Sequence, residues 1–300
     1  MTCPPIVLKS ALLRQGRYDY MEKAIKKYFP IFALPTFVAF IIGFIIPFIL
    51  GVYLSFCEFT TVTDAKFVGL KNYIKIWGDE TFIHALWYTA LFTVVSVITI
   101  NVLAFTVAML LTKGIKGTNI FRTVFFMPNL IGGIILGYIW QLIFNGFLLQ
   151  YDRTLTYNSA YGFWGLVILM NWQQIGYMMI IYIAGIQNIP GELIEAAKID
   201  GANSRQLLRH VTLPMVMPSI TICSFLTLTN SFKLYDQNLA LTAGEPSNKS
   251  EMLALNIYNT FYTRNGWEGV GQAKAVIFFL LVAVIAIVQL KLTTKKEVQA

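Results

Sequence analysis

The sequence predicts an all-α integral membrane protein with six transmembrane helices, and three observations carry that expectation. Of 300 residues, 56% are apolar and only 13% charged, with a mean hydropathy of +0.62. A soluble chain is usually about 25% charged, so too few charges are present to coat a water-facing surface. Six stretches lack Asp, Glu, Lys, Arg and His and approach the roughly 20 helical residues needed to cross hydrocarbon. The formal charge of +8 is unevenly divided among the segments between those stretches.

The six spans run, in order, from Ile31 to Phe56, Ala85 to Leu111, Thr123 to Gly146, Phe163 to Ile186, Val211 to Phe232 and Ala275 to Leu290. Backbone groups facing lipid must be paired within their own segment, which makes these helices rather than open strands. The fifth is the weakest, because it holds Pro214, Pro218 and several hydroxyl residues. On one side of the membrane lie residues 1–30, the second and fourth loops and the tail, with 15 basic and 6 acidic residues. The other side holds 8 basic and 9 acidic residues. By the positive-inside bias both termini are cytoplasmic. The expected organisation is a cytoplasmic segment 1–30, a six-helix membrane domain 31–293 with a cytoplasmic loop 189–214, and a tail 294–300. Met21 to Tyr28 reads as a short amphipathic helix or a solvated basic tail.

The same composition excludes several classes. The positive charge is accounted for by topology, which removes the warrant for nucleic-acid binding. Three cysteines at unrelated spacings and two histidines on opposite sides of the membrane offer no metal or redox motif. No GxxxxGK[ST] loop is present. The expectation is a chain that binds no metal and no cofactor of its own.

Polar groups in hydrocarbon are costly unless paired or facing a cavity. Uncharged polar residues nevertheless cluster in spans three to five: Asn129, Gln141 and Asn145; Asn171, Gln173, Gln174 and Tyr177; Thr227, Thr229, Asn230 and Ser231. Each residue alone reads more readily as interhelical glue. As an amide-rich group shared by three spans, they suggest a pathway for a neutral, hydrogen-bonding solute such as a sugar. The spans contain no carboxylate or ammonium relay, so energy coupling is expected from outside the bilayer.

Between spans four and five, residues 189–214 read as helix, break, helix. Pro190 and Gly191 open it, Gly201 suits a left-handed helix end, and Asn203 or Ser204 can cap a second helix that ends before Pro214. Here the residues resemble a known family. Glu195-Ala196-Ala197, then Gly201 after three residues, then Val211, then Leu213-Pro214, is similar to the EAA loop of ABC importer permeases. Asp200 and Ala202 extend it to the DGA form of carbohydrate permeases. Phe67 to Tyr73, Phe126-Met127-Pro128 and Leu241 to Pro246 with Ile257, Tyr258 and Phe261 resemble other stretches of the maltose/glycerol-phosphate type, larger-subunit family. Glu245 departs from it, standing where many relatives have Gly.

The resemblance implies a type I importer core of five helices plus one more, with a cytoplasmic coupling helix. Glu195, Ala196, Ala197, Asp200, Gly201, Leu213 and Pro214 would couple to an ATP-binding subunit dimer that carries ATP and Mg. The chain would pair with a second homologous permease, and an extracytoplasmic sugar-binding protein would deliver solute. The substrate-binding residues expected from the family positions and the polar cluster together are Asn129, Gln173, Gln174, Tyr177, Thr227, Asn230 and Ser231. Transport of another neutral solute is the nearest alternative. A membrane enzyme would need a nucleophile or carboxylate pair at depth, and a scaffold would need neither the amides nor the loop.

Overall fold

The structure, a computed structural model, describes residues 28–295. Most of the basic N-terminal segment, the amphipathic reading of Met21 to Tyr28 apart from its last residue, and the end of the tail lie outside the described residues. The chain divides into two compact units, with the boundary at Leu54/Ser55.

The described residues of the first unit form one helix, α1 (Tyr28–Leu54), 27 residues long. None of its apolar window is buried. Phe40, Phe44 and Phe48 stack along it at the i, i+4 spacing that places side chains on one face, with ring centroids 5.2 and 6.0 Å apart.

The second unit begins with a two-stranded antiparallel ribbon, β1 (Cys57–Glu58) and β2 (Lys66–Phe67), a small addition to the expected all-helical fold. Then follow α2 (Lys71–Trp77) and α3 (Glu80–Leu111), whose first turn is capped by the Asp79 carboxylate accepting from Thr81 N–H. The predicted third span is broken. It comprises α4 (Thr118–Phe126), a 3₁₀ turn (Met127–Leu130), extended residues Ile131 and Gly132, and α5 (Gly133–Leu148). Pro128 contributes no N–H to a helix ladder, and two extended residues then reset the chain direction. Hydropathy registers the apolar length of this stretch but not its dihedrals.

The central element is α6 (Ser159–Gln187), capped by the Asn158 side chain accepting from Ala160 N–H. Its apolar window is 67% buried, against 6% for the last helix. Phe92 and Phe163 meet edge-on at 6.1 Å, and Phe105 meets Tyr182 edge-on at 5.5 Å. The N-terminal halves and the C-terminal halves therefore pair, so α3 and α6 run parallel. Lipid supplies no hydrophobic force between helices, so close packing and interhelical hydrogen bonds hold the bundle. Gly176 is a necessity of that packing: a Cβ there would overlap the Phe125 carbonyl of α4. The Tyr182 hydroxyl donates to Asn101 Oδ1 at 2.7 Å, and Asn101 Nδ2 donates to Thr227 Oγ1 at 3.3 Å, tying α6, α3 and the fifth span together.

After α6 come α7 (Gly191–Ile199), α8 (Ser204–Met215) and α9 (Met217–Phe232). The second loop helix does not end before Pro214, as expected from sequence. A π-turn over Leu208–Thr212 opens the ladder ahead of Pro214, and the Leu213 N–H bonds back to Leu208. This removes the proline clash, and the helix continues to Met215. The break falls instead at Val216, where α8 and α9 bend by 69°. The fifth span is therefore bent, and α9 is its straight part.

Three further helices complete the unit: α10 (Asp236–Leu241), α11 (Leu253–Thr263) and α12 (Glu268–Thr294). Where α2, α3, α11 and α12 meet, Lys274 is fully buried and donates to Asp79 Oδ2 at 2.7 Å, Asn256 Oδ1 at 2.8 Å and Thr260 Oγ1 at 2.7 Å. Arg264 completes the pair with Asp79 at 3.0 Å. Burial works against the Asp79 carboxylate, but hydrogen bonds from Lys274 and Thr81 and the two positive charges outweigh it and hold it at about 2. The sixth predicted span, Ala275 to Leu290, is free of ionisable groups, but the helix that carries it is longer: α12 starts at Glu268 and takes Lys274 into its second turn.

Candidate functional site

Two groups of predicted residues occupy different levels of the second unit. The first group surrounds α7, beyond the C-terminal ends of α3 and α6. Gly201 has φ +79°, and its N–H bonds to the Lys198 carbonyl at 3.1 Å while the Ala202 N–H bonds to the Ala197 carbonyl at 2.9 Å. That bond pair is a Schellman closure, which requires a left-handed residue and so favours glycine. Asn203 then starts α8 by a reciprocal cap: its Oδ1 accepts from Gln206 N–H at 2.9 Å and its N–H donates to Gln206 Oε1 at 2.8 Å.

This local chemistry fixes a helix whose outer face is free. Glu195, Ala196 and Asp200 are exposed, Ala197 half-buried, and Ile199 is 85% exposed. Ile194 packs inward against the core, which pins α7 without covering it. Leu213 and Pro214 are half-buried in α8. A cavity of about 330 Å³ lies between the two helices, lined by Ala197, Asp200, Gly201, Ala202, Gln206, Leu207, His210 and Val211. The structure thus brings Ala197, Asp200 and Gly201 to one cleft and leaves Glu195 and Ala196 on the neighbouring helix surface.

The second group lies about midway along α6. Gln173 and Gln174 are both buried. Asn230 Nδ2 of α9 donates to Gln174 Oε1 at 3.4 Å, and Gln173 Nε2 donates to the Ile131 carbonyl at 3.4 Å. Gln237 Nε2 of α10 donates to Gln173 Oε1 at 2.8 Å. A cavity of about 250 Å³ opens beside these amides, lined by Met170, Gln174, Asn230, Lys233, Leu234, Tyr235, Asp236 and Gln237.

The remaining predicted residues sit at its periphery or away from it. Asn129 is half-buried in the 3₁₀ turn two residues before Ile131, and Tyr177 is half-buried against Phe126 at 6.4 Å. Ser231 is fully buried, its hydroxyl without a partner among the described residues. Thr227 is fully buried in the α3–α9 seam, donating to the Cys223 carbonyl at 2.7 Å. Sequence reasoning missed Gln237 and Asp236, which lie outside every apolar stretch. They reach the amides because α10 folds back on α5, where Gly133 and Gly137 permit contact with Asp236, Gln237 and Ala240. Among the described residues there is no cluster of metal-ligating side chains.

Comparison with known proteins agrees with this architecture. The family described as binding-protein-dependent transport system inner membrane component matches residues 100–297. A probable starch degradation products transport system permease of Thermoanaerobacterium thermosulfurigenes is 48% identical, over 90% of this chain and 94% of its own length. A multiple sugar-binding transport system permease of Streptococcus mutans is 31% identical, over 93% and 99%. In fold, the chain superposes on a chain of a bacterial ABC transporter that imports the acidic polysaccharide alginate, with a TM-score of 0.76 at 18% identity, over 92% and 99% of the two chains. A chain of the MetNI methionine ABC transporter superposes with a TM-score of 0.55 at 18% identity, over 76% and 99%. A broken third span, a bent fifth span and an EAA-type helix outside the bundle are thus set in a chain nearly half identical to a sugar permease, and the protein belongs to the binding-protein-dependent transport system inner-membrane components, as a multi-pass ABC importer permease of the carbohydrate kind.

Proposed function

We propose that this chain forms half of the translocation pathway of an ATP-driven oligosaccharide importer. The observation that carries the reading is an amide cluster at mid-depth, in which Gln174, Asn230 and Gln237 line a cavity and Gln237 donates to Gln173. Amides both donate and accept, which suits a ligand rich in hydroxyls and without net charge. Lys233 and Asp236 both line the same cavity, so their opposite charges leave it no net preference for an anion. Asn129, Tyr177, Thr227 and Ser231 belong to the proposed solute-facing set with the amides.

In this reading α7 is the coupling helix. It would seat in a separate ATP-binding subunit, Glu195 making the polar contact and Ala196 and Ala197 allowing close approach, with Asp200, Gly201, Leu213 and Pro214 holding the hinge. ATP and magnesium would be bound by that subunit and not by this chain. A second, homologous permease would supply the other half of the pathway, and an extracytoplasmic sugar-binding protein would load it; several relatives carry sugar-transport names. The α7 end is then cytoplasmic, as the positive charge bias also suggests, and the end bearing the ribbon and α11 faces outward. The N-terminal segment 1–30 and the tail 294–300 fall on the cytoplasmic side.

The test is receptor-stimulated ATPase and uptake by the reconstituted complex over a panel of mono- and oligosaccharides. Stimulation by one oligosaccharide class is expected, and stimulation only by a non-carbohydrate solute would refute the substrate assignment. Glu195→Lys is expected to leave membrane insertion intact and to abolish uptake. Normal uptake by that variant would refute the coupling role of α7.

A further inference from the structure

Beside the amide cavity lies a second, larger cavity of about 340 Å³ between α11 and α12, lined mainly by aromatic and small apolar side chains. Three tyrosines form a continuous row along it. Tyr235 and Tyr258 have ring centroids 5.1 Å apart, and Tyr258 and Tyr262 4.8 Å, with tilts of 52° and 42°. Phe261 backs the row, edge-on to Tyr262 at 4.8 Å. Tyr258 is 41% exposed and Tyr262 68% exposed. Their separation on α11 is the i, i+4 spacing that sets both rings on one face. Gln272 adds an amide to an otherwise apolar lining.

Tyr235 lines both this groove and the amide cavity that holds Gln174 and Asn230. The row therefore begins on the surface at Tyr262 and ends at the polar site. We infer that Tyr262, Tyr258 and Tyr235 form an aromatic ramp, a binding subsite for the pyranose rings of an oligosaccharide on its way to the amide cluster. The inference rests on the carbohydrate reading above.

The chemistry fits that ligand class. A pyranose presents a face of C–H groups and an edge of hydroxyls. Tilted tyrosine rings offer apolar faces to the former, the amide cluster at the end of the row offers polar groups to the latter, and the rings have few side-chain torsions to immobilise. An oligosaccharide can occupy ramp and amide cluster together, so its apparent affinity gains from both. A monosaccharide can occupy only one. An aromatic belt at a membrane surface also uses exposed tyrosines, but a belt requires no groove and no shared wall with a polar cavity.

The experiment uses the complete reconstituted complex with its receptor, and maltose, maltotriose and maltopentaose as probes. Wild-type uptake comes first: if none of the three is taken up and a non-carbohydrate is, the carbohydrate reading fails and this inference with it. Where uptake occurs, Tyr258→Leu and Tyr262→Leu should raise the KM for the longest transported probe by ~3–10-fold, the effect of one lost aromatic contact. Tyr258→Phe and Tyr262→Phe, which keep the ring, should stay within about twofold. Receptor-stimulated ATPase should be unchanged in all four. Leu variants indistinguishable from wild type would overturn the ramp in favour of a lipid-facing belt. A parallel fall in receptor-stimulated ATPase would overturn it in favour of receptor docking or damaged assembly.

Discussion

Asp79 and Lys274 lie 195 residues apart in the chain and 2.7 Å apart in the fold. Neither stands out in the sequence, where both count only among the charges of the segments between the spans, Lys274 standing just ahead of an apolar run. Only the start of α12 at Glu268 takes the ammonium below the surface, and only α11 supplies the oxygens of Asn256 and Thr260 that receive its other protons. Lys274→Met would leave the Asp79 carboxylate with Arg264, whereas Asp79→Asn would leave the Lys274 ammonium buried without an anion, the case that costs about 3–5 kcal/mol. Asp79→Asn is therefore expected to lower the Tm of the purified permease complex markedly, and Asp79→Asn combined with Lys274→Met to recover part of the loss. Equal Tm values for the single variant and wild type would disprove the account. The folded carboxylate titrates at about 2, below the ordinary value near 3.9. The stability it contributes is fully present above about pH 4 and is lost as pH falls towards 2. In Asp79→Asn that segment of the pH–stability curve should flatten.

At the scale of the element, α7 and its turn were legible because their determinants are local. Gly201 marks a left-handed closure and Asn203 or Ser204 a cap within a few residues; the observed bonds select Asn203 and add Gln206 as its reciprocal partner. The breaks in spans three and five were not legible in the same way. Pro128 and Pro214 are visible, but whether a proline breaks a helix depends on the turn preceding it. At Pro214 a π-turn absorbs the clash and moves the bend to Val216. At Pro128 a 3₁₀ turn passes into two extended residues, and Ile131 thereby frees a carbonyl for Gln173. The cost of altering the α7 turn can be estimated. Gly201→Val forces a branched residue to φ +79°, a penalty of ~1–2 kcal/mol. The expected outcome is reduced uptake with a raised ratio of ATP hydrolysed to sugar transported, since α7 would sit at the wrong angle to its partner. A purified complex with wild-type coupling stoichiometry would contradict it.

For the whole molecule, the question is why a bundle poor in ionisable groups keeps so many amides at mid-depth. Some serve as glue: the Tyr182 hydroxyl donates to Asn101 Oδ1 across two helices. Asn171 Nδ2 likewise donates to Thr99 Oγ1 at 3.0 Å. The other set differs in its geometry. The Asn230–Gln174 contact is 3.4 Å long, near the limit for a hydrogen bond, and both residues line a cavity; the Gln173–Ile131 contact is equally long. Long bonds beside open space can be exchanged for bonds to a ligand at small cost, whereas the short Tyr182–Asn101 bond in a closed seam cannot. The sequence showed which residues are polar, not which of the two sets each belongs to, because that depends on where α10 docks. Truncating Gln174 and Tyr177 together to Ala is expected to lower uptake while the complex still assembles. Gln237→Ala is expected to act in the same direction and non-additively with Gln173→Ala, because the two side chains share one 2.8 Å bond. Gly137→Val should reproduce the Gln237→Ala phenotype without touching an amide. A Cβ at Gly137 already meets the Ala240 Cβ at 2.7 Å, so the larger side chain displaces α10 and carries Gln237 away from Gln173. Comparing saccharide KM values for Gly137→Val, Gln237→Ala and their combination decides the point: coincident values support α10 as the wall of the solute path, and independent additive losses would remove it from that role.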